Sequence, residues 1–456
     1  MERRESDLKN RERETVKGGL MNGGSIGLES WSTSKRSGLY LGCSNASSHF
    51  ITAETNTKPN RYLLIETKGG LNQQRTGITD AVVAAYILNA ILVVPMLDQK
   101  SFWNDTSDFS EIFDLDWFKT SLSNDVKIIQ HLPHNAGKVV TMSVPWNCDP
   151  ECYRTRILPL FNENHAVRLI KYDFKLSDWL ADVDLQKLRC RVNYHALRHT
   201  NPIIEMGRKL TERMRMKSEH FVALHLRYEP DMLAFSGCYY GGGEKEIQEL
   251  GTLRKRWPTL PTKDPNEERR NGKCLLSPEE VGLMMRAVGF GEDVHIYVAS
   301  GKVYGGDETL APLKALFPNV HTKESIASEE ELAVFSSYSS RMAALDFIVC
   351  DESDVFVTND NGNMARMLAG RRRYFGHKPT IRPNAKGLYP LFQARLHMEW
   401  GEFASEVRKT QIGFMGEHNE LKPGTGAFHE NPQPCICDYY SQPNTTEMYS
   451  KFLRSS

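Results

Sequence analysis

The sequence lacks the short motifs by which most metal-dependent and nicotinamide-dependent enzymes are recognised. Its 14 histidines include no HExxH pattern, and its nine cysteines include no CxxC pair with zinc spacing. Neither a GxGxxG fingerprint nor a Walker loop occurs. We therefore predict no metal site and no cofactor, and a nicotinamide-dependent Rossmann enzyme is poorly supported.

Net charge and long apolar runs are absent as well. Lys+Arg and Asp+Glu are each 57, which argues against a general polyanion binder. The basic run at residues 371–373 would suit nucleic-acid binding, but a solvated helix end explains it equally well. The charged N-terminus has no apolar signal region, and the apolar run at residues 81–97 falls short of a membrane span. We expect no nucleic-acid partner and no membrane span in this chain.

Cysteine is too scarce for a disulfide scaffold. Cys148 and Cys152 have the spacing to close a small loop in an oxidising compartment. Cys435 and Cys437 are only two residues apart and are poorly placed to bridge each other.

The periodicity of the chain predicts an α/β fold with parallel sheets. Strands are predicted at 62–65, 91–94, 221–226, 295–299 and 355–358, with helices between them. Residues 1–58 are polar and aperiodic and are predicted to be disordered. The remaining divisions are a Rossmann-like domain at 59–215, a second at 216–400, and a C-terminal helix and tail at 401–456. Residues 237–274 are predicted to form a surface insertion.

Parallel sheets bind ligands at the carboxyl ends of their strands, and the first candidate loop follows the first predicted strand. It contains Gly69, Gly70, Leu71 and Asn72. Paired glycines let backbone N–H groups approach a phosphate or sugar, and the next helix adds its positive end. A simple strand-to-helix turn explains the same spacing.

The second candidate loop follows the strand predicted at 221–226. Alternation along the strand places His225 and Arg227 on one face. An arginine at a strand end has the geometry to bind a diphosphate and to stabilise a departing phosphate. Glu229 and Asp231 bring carboxylates suited to removing a proton. An ion pair that closes the loop is the structural alternative.

The third candidate loop precedes the last predicted helix of the second domain. It is a run of small and mostly polar residues: Thr358, Asn359, Asp360, Asn361, Gly362 and Asn363. Backbone N–H groups at a helix start bind anions, although ordinary helix capping uses the same residues.

An unexpected carboxylate, Asp346, lies within the apolar helix predicted at 341–350, before the strand at 355–358. It is suited to hydrogen-bonding a nucleoside base, and a buried, capped carboxylate is the alternative.

Together these motifs resemble the plant branch of the protein O-fucosyltransferase-like glycosyltransferases. The resemblance is carried by KGGLNQQR at 68–75, HLR at 225–227, and Asp346 followed by VFVTNDNGN at 355–363. It extends from about residue 61 to about residue 440 and includes the stretches at 296–301, 350–354 and 369–374.

The resemblance implies a GT-B fold, with two Rossmann-like domains facing a cleft, and inverting, metal-independent transfer from a nucleotide sugar. It implies that Arg227, with His225 beside it, binds the β-phosphate of the donor. It assigns Asp346 to the base, and phosphate contacts to residues 358–363, and it places the glycine loop with Asn72 along the cleft.

The sequence departs from the family pattern at two places. Some relatives carry a glutamate in the glycine loop as catalytic base, but this chain has Gly69 and Gly70 there. The remaining candidates are Glu229 and Asp231, and Asp231 is preferred for its reach. Plant members are usually anchored in the Golgi by an N-terminal helix that is not visible here, so a Golgi location is expected from the resemblance alone.

The resemblance leaves the substrates open. The donor is expected to be GDP-fucose, with UDP-rhamnose as the alternative because the branch includes pectin rhamnosyltransferases. The expected partners are this nucleotide sugar and a glycan or protein acceptor, either a cell-wall polysaccharide or a glycoprotein. A non-catalytic protein that binds a nucleotide sugar is a further alternative.

Overall fold

The structure, a computed structural model, describes residues 40–100, 105–178, 180–376, 378–416 and 428–438. The strands of these residues are β1 Tyr40–Gly42, β2 Tyr62–Thr67, β3 Ile91–Val93, β4 Ile128–Ile129, β5 Val139–Met142, β6 Ala166–Tyr172, β7 Phe221–His225, β8 His295–Ala299, β9 Val320–His321, β10 Val355–Thr358, β11 Thr380–Ile381 and β12 Ile436–Asp438.

The α-helices of the same residues are α1 Ala53–Asn56, α2 Leu71–Ile87, α3 Phe109–Ile112, α4 Leu115–Ser121, α5 Pro150–Arg156, α6 Val183–Cys190, α7 Asn201–Lys217, α8 Pro230–Ser236, α9 Gly243–Arg254, α10 Pro265–Arg270, α11 Pro278–Val288, α12 Gly306–Leu316, α13 Lys323–Ile326, α14 Glu329–Ser336, α15 Ser339–Glu352, α16 Asn363–Gly376, α17 Ala385–Ala394 and α18 Trp400–Thr410. Short 3₁₀ helices occur at Leu158–Asn162, Arg395–His397 and Gln433–Cys435, and a π-helical turn at Arg191–Ala196.

Two five-stranded parallel sheets organise the molecule. The N-terminal sheet has the order β4-β3-β2-β6-β5, and the C-terminal sheet has the order β11-β10-β7-β8-β9. Helices alternate with the strands, which is how a parallel sheet buries both of its faces. The predicted α/β fold of two Rossmann-like, GT-B-like domains is confirmed by these sheets.

The first helix of the N-terminal sheet begins earlier than the sequence predicts. The apolar pattern that predicts this helix begins only at about Gly77, but α2 begins at Leu71. Gly70 has the extended backbone of a helix N-cap, with φ −68° and ψ 163°. Most of the polar segment at 71–76 is therefore the first turn and a half of a buried helix.

The two predicted domain boundaries in the second half of the chain do not follow the packing. Helix α7 was placed in the first domain, but it packs against α15 so closely that a Cβ on its Gly207 would lie 2.7 Å from the Ile348 side chain. Helix α18 was placed in a separate tail, but its Trp400 and Phe403 are buried against the C-terminal sheet. Both helices thus cover the C-terminal sheet.

Disulfides extend the fold beyond the predicted N-terminal boundary. Residues 40–58 were predicted to be disordered, yet they contain β1 and α1, and β1 pairs with β12. The Cys43–Cys437 disulfide joins these two strands across 394 residues of sequence. Residues 1–39 of that prediction lie outside the described residues.

Three further disulfides correct the expectation of a cysteine-poor fold. Cys148–Cys152 forms as predicted. Cys190–Cys435 ties the end of α6 to the C-terminal residues, and Cys238–Cys274 closes the surface insertion, which contains α9 and α10. Eight of the nine cysteines are therefore paired, and Cys350 is buried as a free thiol. Among the described helices, none combines the length and apolarity required to cross a bilayer.

Candidate functional site

The second and third candidate loops meet where the strand order of the C-terminal sheet reverses. The chain passes from β7 to β8 on one side and later adds β10 on the other. Ligands of open α/β sheets bind outside the carboxyl ends of strands at such a point. Thr358 pairs with His225 in the register of β10 and β7, so the two loops lie side by side.

Asn359 joins these two loops through its buried side chain. Its Oδ1 accepts a hydrogen bond from the Arg227 backbone N–H at 2.8 Å. Its Nδ2 donates to the backbone oxygens of Arg227 at 3.3 Å and Leu276 at 3.0 Å. Asn359 therefore fixes the main chain from which the arginine side chain emerges.

Arg227 projects from this fixed main chain and is 18% exposed. Its Nη1 lies 3.3 Å from Oε2 of Glu229, whose Oε1 accepts a hydrogen bond from the Gly301 N–H at 3.0 Å. Glu229 thus holds the guanidinium against the loop that follows β8. This contact is the ion pair that the sequence offered as an alternative, and it leaves Arg227 at the ligand-binding edge of the sheet.

Asp231 lies in the first turn of α8 and is 7% exposed. Burial raises the pKa of its carboxyl group, Arg227 opposes that rise, and Glu229 adds to it. Both carboxylates that the sequence offered as bases therefore stand beside the arginine, and Glu229 is already engaged by Arg227 and Gly301. Their catalytic role stays a prediction.

His225 and Asp360 face each other at the same edge. His225 Nδ1 lies 4.0 Å from Asp360 Oδ1, and neither buried atom hydrogen-bonds to a described residue. Burial lowers the pKa of His225 despite the nearby carboxylate, so the imidazole is neutral at pH 7. Buried polar atoms normally find a partner, which indicates that a ligand or water binds here.

The polar loop at 358–363 uses part of its side chains internally. Thr358 Oγ1 donates to the Asp360 carbonyl at 2.6 Å, and Asn361 Oδ1 accepts from Arg382 Nη1 at 3.3 Å. Gly362 leads into Asn363, the first residue of α16. The N–H groups at the start of this 14-residue helix are suited to an anion such as phosphate.

Asp346 lies in a closed network on α15. Its Oδ1 accepts from the Tyr297 hydroxyl at 2.7 Å, and its Oδ2 accepts from Lys323 Nζ at 2.9 Å. Burial would lower the pKa of Lys323, but attraction to Asp346 raises it above the ordinary value. This geometry favours the capped-carboxylate alternative, and contact of Asp346 with a base stays a prediction.

The glycine loop lies at the corresponding edge of the N-terminal sheet. Gly69 has φ +93°, which favours glycine, and its N–H donates to Asp98 Oδ2 at 2.8 Å. Leu71 is buried in the core, so only its backbone is available to a ligand. Asn72 is 7% exposed, and its Oδ1 hydrogen-bonds to no described residue.

Sequence reasoning missed the residues at 428–438, which we call the C-terminal segment. Glu430 pairs with Arg382, the residue that donates to Asn361. The Glu430 carbonyl accepts from Arg373 Nη1 at 3.0 Å. The same segment is covalently tied to α6 through Cys435. Its signal in the sequence was a pair of cysteines too close to bridge each other, which therefore required distant partners.

The described residues contain no cluster of three or more His, Cys, Asp or Glu side chains arranged to hold a metal ion. The charged groups at the two sheet edges are arginine, lysine and single carboxylates. Such groups bind a phosphate or move a proton directly.

Comparison with known proteins identifies the family to which this chain is similar. Residues 62–375 match the family model described as GDP-fucose protein O-fucosyltransferase. The chain is 65% identical over 403 residues to O-fucosyltransferase 6 of Arabidopsis thaliana, across 88% of this chain and 71% of that protein. It is 63% identical over 421 residues to Protein ROOT HAIR SPECIFIC 17 of the same plant, across 91% and 76%.

Two other similarities are more distant. Rhamnogalacturonan I rhamnosyltransferase 4 of Arabidopsis thaliana is 42% identical over 398 residues, across 84% of this chain and 82% of that protein. A crystal structure of POFUT1 in complex with GDP is 15% identical with a TM-score of 0.44, across 72% of this chain and 100% of that chain. That structural likeness is too distant to add to the fold seen directly.

Proposed function

The chain belongs to the GDP-fucose protein O-fucosyltransferase family, as its motifs predict, and from this membership we propose that it transfers fucose from GDP-fucose to a hydroxyl group. It is a glycosyltransferase of that family. The proposed reaction inverts the configuration at the sugar and needs no metal ion. The proposed acceptor is a cell-wall polysaccharide or a glycoprotein.

The observation that carries this proposal is the position of Arg227 where β7 and β10 end. Asn359 fixes its backbone, and Glu229 holds its side chain. A fixed cation at this edge stabilises the negative charge that develops on a departing diphosphate, since it need not reorganise during the reaction. The start of α16 lies beside it and is proposed to bind the same phosphates.

Calorimetric titration with GDP and with UDP tests this role. We expect Arg227→Ala to weaken binding of the preferred nucleotide by about 10- to 150-fold, because a charge-assisted hydrogen bond contributes about 1.5–3 kcal/mol. Arg208→Ala is the matched control, since Arg208 is exposed on α7. Equal affinity of the wild type and Arg227→Ala for both nucleotides would remove Arg227 from the phosphate site.

The similarity to a rhamnosyltransferase supports a second donor, UDP-rhamnose. Release of the nucleoside diphosphate from GDP-fucose and from UDP-rhamnose separates the two candidates. Turnover of UDP-rhamnose alone would replace the proposed donor. Tight nucleotide binding without turnover of either donor, even with a panel of acceptors, would support the non-catalytic alternative.

We also propose that the protein works in the Golgi. The supporting observation is the set of disulfides, since such bonds persist in oxidising compartments and are rare in the cytosol. A fluorescent fusion of the full-length protein in plant cells should coincide with a Golgi marker. A cytosolic signal, with free thiols detected at Cys238 and Cys274, would contradict this proposal.

A further inference from the structure

A carboxylate at the edge of the N-terminal sheet, to which no role has yet been given, is a candidate for the base of the proposed reaction. Strand order reverses there too, because the chain passes from β2 to β3 on one side and later adds β6 on the other. Thr67 of β2 pairs with Tyr172 of β6 at their carboxyl ends. Asp173 follows directly and thus lies beside the glycine loop.

Asp173 is buried, with 5% of its surface exposed, and is held by a neutral amide. Gln73 Nε2, in the first turn of α2, donates to Asp173 Oδ2 at 2.5 Å. Within the described residues, no other side chain hydrogen-bonds to this carboxylate. Gln73 therefore orients one oxygen of the carboxylate, and no described side chain donates to the other.

Close packing brings Gln73 to Asp173. A Cβ on Gly77 would lie 2.4 Å from the Tyr172 carbonyl oxygen, so α2 rests directly on the end of β6. The main chain on either side of Asp173 is in the left-handed region, with φ +52° at Lys171 and +45° at Phe174. Such conformations are costly for residues other than glycine and cluster at functional sites.

The charged groups that face Asp173 are lysines. Lys68 follows β2, and Lys175 lies two residues after Asp173. Lys175 Nζ lies 3.9 Å from the ring centroid of Trp146, which is 62% exposed. Burial raises the pKa of Asp173, and Gln73, Lys175 and Lys68 oppose that rise. A carboxylate with a raised pKa is a better proton acceptor.

The same helix turn connects this edge to the C-terminal sheet. Arg75 follows Gln73 on α2, and its guanidinium lies 4.6 Å from the ring centroid of Phe347 on α15. The glycine loop is therefore packed close to the domain that carries Arg227. Helix α2 also contacts α16, the helix that begins at the proposed phosphate site.

We propose that Asp173 is the catalytic base, a role that rests on the proposed glycosyl transfer. Asp173 takes the proton of the acceptor hydroxyl while the acceptor oxygen bonds to the anomeric carbon of the donor sugar. The bond from that carbon to the β-phosphate oxygen breaks, and its electron pair leaves with the nucleoside diphosphate beside Arg227. Asp173 later releases the proton to solvent.

Release of GDP from GDP-fucose, with water as the acceptor, tests this role in the full-length protein. We expect Asp173→Asn to slow release by about 100- to 10,000-fold, the range for loss of a general base. Calorimetric affinity for GDP should change less than about twofold, since Asp173 is not at the phosphate site. Asp178→Asn, at an exposed position five residues on, should keep the wild-type rate.

Azide distinguishes a base from a merely structural residue. Azide attacks the anomeric carbon without losing a proton, so it should restore GDP release by Asp173→Ala and yield fucosyl azide of inverted configuration. It should not rescue Arg227→Ala, because the missing charge acts on the leaving group. In the wild type the rate should fall as pH falls through the pKa of Asp173, and Asp173→Asn should lose this limb.

Two outcomes would overturn the role of Asp173. One is a rate of Asp173→Asn within about threefold of wild type; the other is an equal loss of GDP affinity and rate without azide rescue. If the wild type itself neither binds GDP nor turns over GDP-fucose, the proposed function fails instead, so the two failures are distinguishable.

Discussion

The carboxyl edges of the two sheets hold their charges in different ways. At the C-terminal sheet, Arg227 pairs with Glu229, and Lys323 pairs with the buried Asp346. At the N-terminal sheet, Asp173 is held by an amide and is near Lys68 and Lys175 without a hydrogen bond to either. Fixed pairs suit an edge that stabilises a departing anion, whereas a base must not be neutralised by an ion pair.

The largest expected effect on stability comes from removing one partner of the buried Lys323–Asp346 ion pair. Lys323→Met leaves the Asp346 carboxylate buried without its cation, and Lys323 is only 3% exposed. We expect a loss of about 3–5 kcal/mol in the free energy of unfolding, the usual cost of removing one partner of a buried pair. Urea unfolding followed by circular dichroism measures it.

The double variant decides what Asp346 does. Lys323→Met combined with Asp346→Leu removes both charges, so we expect it to recover most of the lost stability and to bind GDP as the wild type does. If the folded double variant instead lost GDP affinity, Asp346 would be a ligand of the base rather than a closed structural carboxylate.

A smaller effect is expected where α2 rests on β6. Gly77→Ala places a Cβ against the Tyr172 carbonyl, and overpacking of this kind costs about 1–3 kcal/mol. The displacement should also separate Gln73 from Asp173 and slow GDP release by about 10- to 100-fold. GDP affinity should stay unchanged, because the phosphate site lies on the other sheet.

Gly251→Ala is the matched control for this change. A Cβ at Gly251, inside helix α9, meets nothing within 4 Å. Alanine there should stabilise the protein by about 0.5–1 kcal/mol without affecting catalysis. Slower GDP release by both glycine variants would show that the N-terminal edge is not specifically involved.

The sequence was sufficient for features that depend on local pattern. Apolar strands followed by helices predict both parallel sheets, and the placement of Arg227 and residues 358–363 at strand ends predicts that they are close. The start of α2 was missed because its first turn is rich in polar residues although it is buried, and because a glycine rather than serine or aspartate caps it.

Features that depend on distant partners could not be predicted. Asp173 is oriented by a hydrogen bond from Gln73, a residue 100 positions away in the sequence. The basic run at 371–373 was explained by a solvated helix end, but Arg372 is 1% exposed and donates to the carbonyls of Cys350 and Ser353. Only tertiary contact distinguishes such buried charges from exposed ones.

The smallest expected effect concerns the C-terminal segment, which connects the two edges. Cys435 ties it to the N-terminal domain, while Glu430 pairs with Arg382 beside Asn361. Glu430→Gln weakens this pair and loosens the phosphate loop. We expect GDP affinity to fall by about two- to fivefold, since the pair acts on the loop through the hydrogen bond from Arg382 to Asn361, and such a bond contributes roughly 1 kcal/mol.

Glu406→Gln is the control for the Glu430 variant, because Glu406 pairs with Lys409 on the exposed side of α18. Its GDP affinity should equal that of the wild type. If both variants bind GDP equally well, the C-terminal segment joins the domains without acting on the phosphate loop. Each of the two sheet edges would then position its own groups independently of the other.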